Sequence, residues 1–172
     1  MASQVKQPSL FPILLVNFVG TLGFSIVLPF LVFVVMKFGG DAIVYGLLAA
    51  TYPAFQLIGS PLLGKWSDTY GRKKILLLSN IGTSIGWLIF LFALFLSSEE
   101  SFNFYIPLLG TFVVIVPLLL LFLARAIDGI TGGNISIANA YLSDLSSDST
   151  RSKNFGKIAI SSNLGFIIGP AI

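Results

Sequence analysis

Long apolar runs, separated by short charged stretches, set the plan of this chain. A helix crosses the bilayer core with about 20 mostly apolar residues. Runs of that length predict spans at 10–36, 43–63, 75–96, 118–142 and 155–172, behind a short polar terminus at 1–9. The predicted fold is all-α: a polytopic membrane helix bundle over 10–172. The stretch from Tyr105 to Leu145 is too long for one simple crossing. With the span core at Leu118–Leu142, Tyr105–Pro117 is left as an apolar extension, a kinked helix start or a re-entrant piece.

The charged stretches alternate in sign balance. Lys6, the group Lys65, Arg72, Lys73 and Lys74, and the group Arg151, Lys153 and Lys157 form one set. Lys37 with Asp41, and Glu99 with Glu100, form the other. Basic loops stay on the cytoplasmic side, so the first set and the N-terminus are expected there, in an integral protein of the plasma (inner) membrane. The densest basic stretch, Gly64–Leu76, is expected to be a Gly-bounded loop between the second and third spans.

Composition narrows the classes. Of 172 residues, 55% are hydrophobic and 10% charged, against roughly 25% charged in a soluble domain. Mean hydropathy is +0.93. The first apolar run exceeds a signal-peptide core of about 7–15 residues. Without Cys or His there is no disulfide framework, no nucleophile–base set of the usual kind and no imidazole to bind metal or shuttle protons. No metal, no cofactor and no enzyme activity are expected. Gly64–Gly71 and Gly129–Gly133 do not have the spacing of a phosphate loop. The net charge of +3 sits in loops where topology explains it, so no nucleic-acid partner is expected.

Three spans carry polar stripes. Asn17, Thr21 and Ser25 lie four apart, as do Tyr52, Gln56 and Ser60. Arg125, Asp128, Gly132, Ser136, Asn139 and Ser143 follow three- and four-residue steps. Such residues share a helix face. In lipid they must face each other, another chain or water. They form either a polar pathway or a hydrogen-bonded bundle with no cavity. Arg125 and Asp128 are the sharpest pointers, since charge inside a membrane is expensive and i, i+3 spacing lets the two meet. They are a structural ion pair, or Asp128 takes and releases a proton or a cationic substrate under the control of Arg125. Pro29, Pro53, Pro61 and Pro117 kink helices for packing or for flexing. Gly82-x-x-x-Gly86 permits close helix approach.

The segment Gly64–Leu76, through Gly64, Asp68, Gly71, Arg72 and Lys73, resembles the signature loop between helices two and three of the major facilitator superfamily. Trp66 and Thr69 depart from its usual residues. Arg125-Ala-Ile-Asp-Gly129 resembles the helix-four Arg motif, and Gly23–Pro29 resembles the helix-one Pro motif. Gly165, Gly169 and Pro170 resemble the start of the helix-five Gly-Pro motif of drug–proton antiporters. The stretch 127–172 is similar to tetracycline and multidrug efflux members. The resemblance implies the first four to five helices of an N-terminal half, in a transporter that exports a small organic molecule against protons by alternating access. It implies a cytoplasmic gating cluster of Asp68, Arg72 and Asp144, supported by Gly64, Gly71 and Lys73. It links Arg125 to proton coupling and Gly169 with Pro170 to antiport. Helix one here carries no acid, which turns attention to Asp128, with Asn17, Gln56 and Asn139 as further pathway residues. Implied partners are the bilayer, substrate and protons, and a C-terminal half. Because the family joins two six-helix halves around a midplane site, this chain is expected to be truncated and inactive alone. The alternative is a non-transporting remnant or a helical association module.

Overall fold

Each helix begins and ends where local chemistry dictates. The computed structural model describes residues 10–97, 99, 101–106 and 110–172; the predicted terminus 1–9, with Lys6, and Glu100 lie outside the described residues. Helix α1 runs Phe11–Lys37 and stops at Gly39, whose φ of 76° places it in the region open to glycine. The Asp41 carboxylate then caps α2, Ala42–Tyr70, accepting from the amides of Ile43 and Val44 at 2.9 Å each. A capping carboxylate satisfies amides that the helix leaves open. α3 spans Arg72–Phe95. Two strands follow, β1 (Ser101–Ile106) and β2 (Gly110–Ile115), paired antiparallel from Ser101 opposite Ile115 to Ile106 opposite Gly110. α4 (Val116–Thr131) carries Pro117 in its first turn, where a missing N–H costs nothing. α5 (Asn134–Leu145), α6 (Asp148–Ile168) and a 3-10 turn, Gly169–Ala171, complete the described chain.

Three segments differ from the sequence reading. The expected loop Gly64–Leu76 is helical except at Gly71, where a φ of 99° alone separates α2 from α3. The long stretch before α4 is a β-hairpin, in keeping with the β-branched residues Thr111, Val113, Val114 and Ile115. The fourth apolar run keeps the length of one span, Val116–Leu145, but is broken at Gly132 and Gly133 into α4, ending at Thr131, and α5, beginning at Asn134. α6 begins at Asp148, where the Ser147 amide donates to Thr150 Oγ1 at 3.1 Å.

Among the described residues, four helical stretches are long and apolar enough to cross a membrane: Phe11–Lys37, Ala42–Tyr70, Arg72–Phe95 and Val116–Leu145. Their outward faces keep Phe33, Leu57, Leu88 and Phe95 exposed, as lipid contact requires. This is a helical membrane bundle.

The chain divides into two compact units, Val27–Asn134 and, among the described residues, 10–26 with 135–172. The larger unit buries Leu31 and Val35 of α1 and Phe38 just after it with Leu48 of α2, Phe90 of α3 and Leu121 of α4. The smaller buries Ile13 of α1 with Ala138 and Leu142 of α5 and Ile158 of α6.

Candidate functional site

The site in the larger unit starts from close backbone approach. A Cβ on Gly129 of α4 would stand 2.5 Å from the Tyr52 carbonyl and 2.9 Å from Phe55 Cβ of α2. A Cβ on Gly86 of α3 would stand 3.0 Å from the Ala124 carbonyl and 3.2 Å from Asp128 Cβ. Glycine at these positions lets α2 and α3 lie directly on α4. Ser79 on α3 also donates to the Thr131 carbonyl of α4.

This packing buries the charged turn of α4. Arg125 and Asp128 side chains are 3% and 12% exposed, with Nη1 to Oδ2 at 3.4 Å. That separation exceeds the 2.7–2.9 Å or so of a tight charge-assisted bond. The guanidinium carbon also lies 4.8 Å from the centroid of the Tyr52 ring, within cation–π range. Gln56 Nε2 donates to Tyr52 Oη at 3.0 Å and to the Gly132 carbonyl at 2.8 Å. The second bond satisfies a carbonyl at the open C-terminal end of α4 and fastens the Tyr52 turn to it. A small pocket between α3 and α4 is lined by Gly86, Trp87, Phe90, Ala124, Arg125 and Asp128. Aromatic side chains thus wall a buried ion pair. Among the described residues no group of acidic side chains is arranged to hold a metal ion.

The structure thus brings Arg125, Asp128 and Gln56 together. Tyr52 was visible in the sequence only as a member of the α2 stripe. Its i, i+4 relation to Gln56 was the available signal; its place beneath Arg125 depends on tertiary packing. Asn17 and Asn139 belong to the smaller unit. Asn17 is fully buried and donates to the Ile13 carbonyl at 3.0 Å, and Thr21 donates to the Asn17 carbonyl at 2.8 Å.

At the α2–α3 turn, Arg72 Nη1 lies 2.6 Å from Asp68 Oδ1 and donates to Ser67 Oγ at 2.7 Å. Gly64 supplies a carbonyl to Ser67 Oγ at 2.7 Å, and Lys73 is exposed beside them. Asp144 lies in α5, in the other unit.

In the smaller unit, Gly165 and Gly169 of α6 face α1. A Cβ on Gly165 would meet the Thr21 hydroxyl, and one on Gly169 the Ser25 hydroxyl. Ser25 Oγ donates to the Gly165 carbonyl at 3.0 Å, and Ser161 Oγ donates to the Leu14 carbonyl at 2.7 Å. Phe24 meets Phe166 edge-on, with ring centroids 6.1 Å apart. Pro170 follows in the terminal 3-10 turn.

Residues 13–172 match the Major Facilitator Superfamily. The chain belongs to that family. Relatives within it include tetracycline resistance protein, class E, of Escherichia coli, 32% identical over 162 residues that cover 92% of this chain and 35% of the relative. Multidrug resistance protein 2 of Bacillus subtilis (strain 168) is 34% identical over 169 residues, 96% of this chain and 36% of the relative. Major facilitator superfamily domain-containing protein 10 of Bos taurus is 30% identical over 127 residues, 74% of this chain and 23% of the relative. The chain therefore spans about a third of the length of the first two. Within this major facilitator chain, the turn containing Asp68 and Arg72 and the buried Arg125–Asp128 pair lie in one unit.

Proposed function

We propose that this chain forms part of a membrane transporter that exports a small organic molecule in exchange for protons. The carrying observation is the Arg125–Asp128 pair, buried beside Tyr52 and Trp87 in a helical membrane bundle. Charge in that setting is costly, and where it is kept it marks an ion or substrate pathway more often than a packing element. The family and the relatives named for tetracycline and multidrug resistance support export as the direction. In this reading Asp128 carries the coupling proton and Arg125 holds it in register. Asp68 and Arg72 act as a cytoplasmic latch. Gly165, Gly169 and Pro170 keep α6 close on α1 during exchange.

The test is drug export from everted vesicles with an imposed proton gradient. It uses the 172-residue chain and a chimaera in which the chain replaces the matched portion of the Bacillus subtilis relative. Gradient-driven export by the chimaera that falls at least tenfold on Asp128→Asn is the expected result. Export that persists unchanged in that variant overturns the assignment of the proton. Orientation is checked separately: a cysteine at Thr69 should label only from the cytoplasmic side and one at Ser97 only from outside. The reverse pattern overturns the cytoplasmic N-terminus.

A further inference from the structure

A buried guanidinium keeps its charge when the carboxylate beside it is neutralised, and its remaining favourable contacts then carry more of the cost of burial. Arg125 is almost fully buried, and the carboxylate it meets at 3.4 Å lies one turn away on its own helix. On the other side, on α2, the Tyr52 ring lies 4.8 Å from the guanidinium carbon. An aromatic face attracts a cation without carrying charge itself, and the attraction grows when water is excluded. That ring is not loosely placed. Gln56 holds its hydroxyl at 3.0 Å and anchors to the Gly132 carbonyl at 2.8 Å, and the glycine at 129 lets the Tyr52 backbone sit directly on α4. Among its contacts, Arg125 thus has one partner that can lose its charge, Asp128, and one that has none to lose, the Tyr52 ring.

We propose that the face of Tyr52 is a second seat for the Arg125 cation, used whenever Asp128 is protonated, which makes Tyr52 a positioning residue of this site. When a proton bonds to a carboxylate oxygen of Asp128, the ion pair is lost and nothing leaves. The guanidinium keeps its charge and shifts its weight onto the ring. Gln56 fixes the ring so that the seat is present in both states. The proposal rests on the reading of Asp128 as the proton carrier, but its physical core is the coupling of Tyr52 to Asp128 through Arg125.

That coupling can be measured without transport. The purified chain is unfolded by detergent titration in mixed micelles, with Asp128→Asn standing for the neutral carboxyl. Tyr52→Leu should lower the folded-to-unfolded ratio roughly tenfold more in the Asp128→Asn background than in the native one, as expected for a desolvated cation–π contact. Tyr52→Phe, which keeps the ring, should show no such excess. Adding Arg125→Leu should abolish it. An excess below about twofold, or one that survives loss of Arg125, overturns the seat; packing alone would give the same loss in both backgrounds. If Tyr52→Leu does not fold, phenylalanines of increasing fluorination are placed at position 52 in the Asp128→Asn background. A stepwise loss with ring electron density supports the seat, and a flat series overturns it. A positive cycle with no proton-driven export in the vesicle assay would retain the seat and sink the transport reading.

Discussion

The larger unit buries polarity as charge, with Arg125 and Asp128 enclosed by α2, α3 and α4. The smaller unit, among its described residues, buries only uncharged polar side chains, Asn17, Thr21, Ser25 and Asn154, and Ser25 and Ser161 each donate across to a backbone carbonyl of the facing helix. In the sequence the α1 and α4 stripes look alike, with polar residues at three- and four-residue steps. In the structure they differ in kind. A hydroxyl that reaches a carbonyl is satisfied and lets two helices sit close; it has no second state to occupy. An ion pair beside an aromatic ring has two, because one partner can be neutralised. Polar periodicity alone therefore locates seams, and the presence of ionisable groups marks the seam that can change.

The largest expected effect breaks the charged seam. Arg125→Leu leaves the Asp128 carboxylate buried without its cation and should cost about 3 kcal/mol of folding stability. Replacing both residues by leucine should recover most of that loss. Detergent unfolding of the single and double variants checks this. Equal losses in the two would make the pair a packing element like the hydroxyl seam.

A smaller effect is expected in the other unit. Gly165→Ala places a methyl against the Thr21 hydroxyl, with the Phe18 carbonyl 2.8 Å away, and should cost about 1–3 kcal/mol by overpacking. Gly46→Ala meets nothing within 4 Å and serves as the control, unchanged or slightly stabilised. Smaller still is Ser161→Ala, which removes one hydrogen bond to the Leu14 carbonyl. Such bonds average about 0.6 kcal/mol in membranes. A Ser161→Ala loss equal to that of Arg125→Leu would erase the distinction between the two seams.

The helices were legible because long apolar runs leave a membrane protein little choice. The meeting of Arg125 and Asp128 was legible from i, i+3 spacing alone. The partners were not. Thr21 and Ser25 face Gly165 and Gly169, but a stripe of small residues does not say which helix it meets. Tyr52 shares a face with Gln56 in the sequence, while its contact with Arg125 arises only when Gly129 lets α2 lie on α4. The segment around Asp68 was expected to be a loop because charge and glycine usually mark one. Here the helix carries its charges past the apolar run, and a single positive-φ residue, Gly71, makes the turn. The hairpin was hidden because apolar strands and apolar helices have similar composition, and only the β-branched cluster at 111–115 distinguishes them.

The smallest expected change in stability falls at that turn, in a third kind of polar contact. Arg72 and Asp68 pair at 2.6 Å, but their side chains are 23% and 64% exposed. An ion pair that wet contributes about 0–1 kcal/mol. Ser67 gives Arg72 a second acceptor at 2.7 Å, so loss of the carboxylate leaves the guanidinium held. Asp68→Asn should therefore shift the unfolding midpoint little, far less than Arg125→Leu. If the pair is a latch, its weight lies elsewhere: a fraction of a kcal/mol is enough to tilt a balanced two-state equilibrium severalfold. In the vesicle assay the same variant should lower gradient-driven export by the chimaera at least threefold while its amount in the membrane is unchanged. Export at the native rate would reduce the Asp68–Arg72 pair to a surface ion pair. A large fall in folding stability would instead place it with the buried charge of α4, and the contrast between a pair that holds the fold and a pair that biases its state would fail.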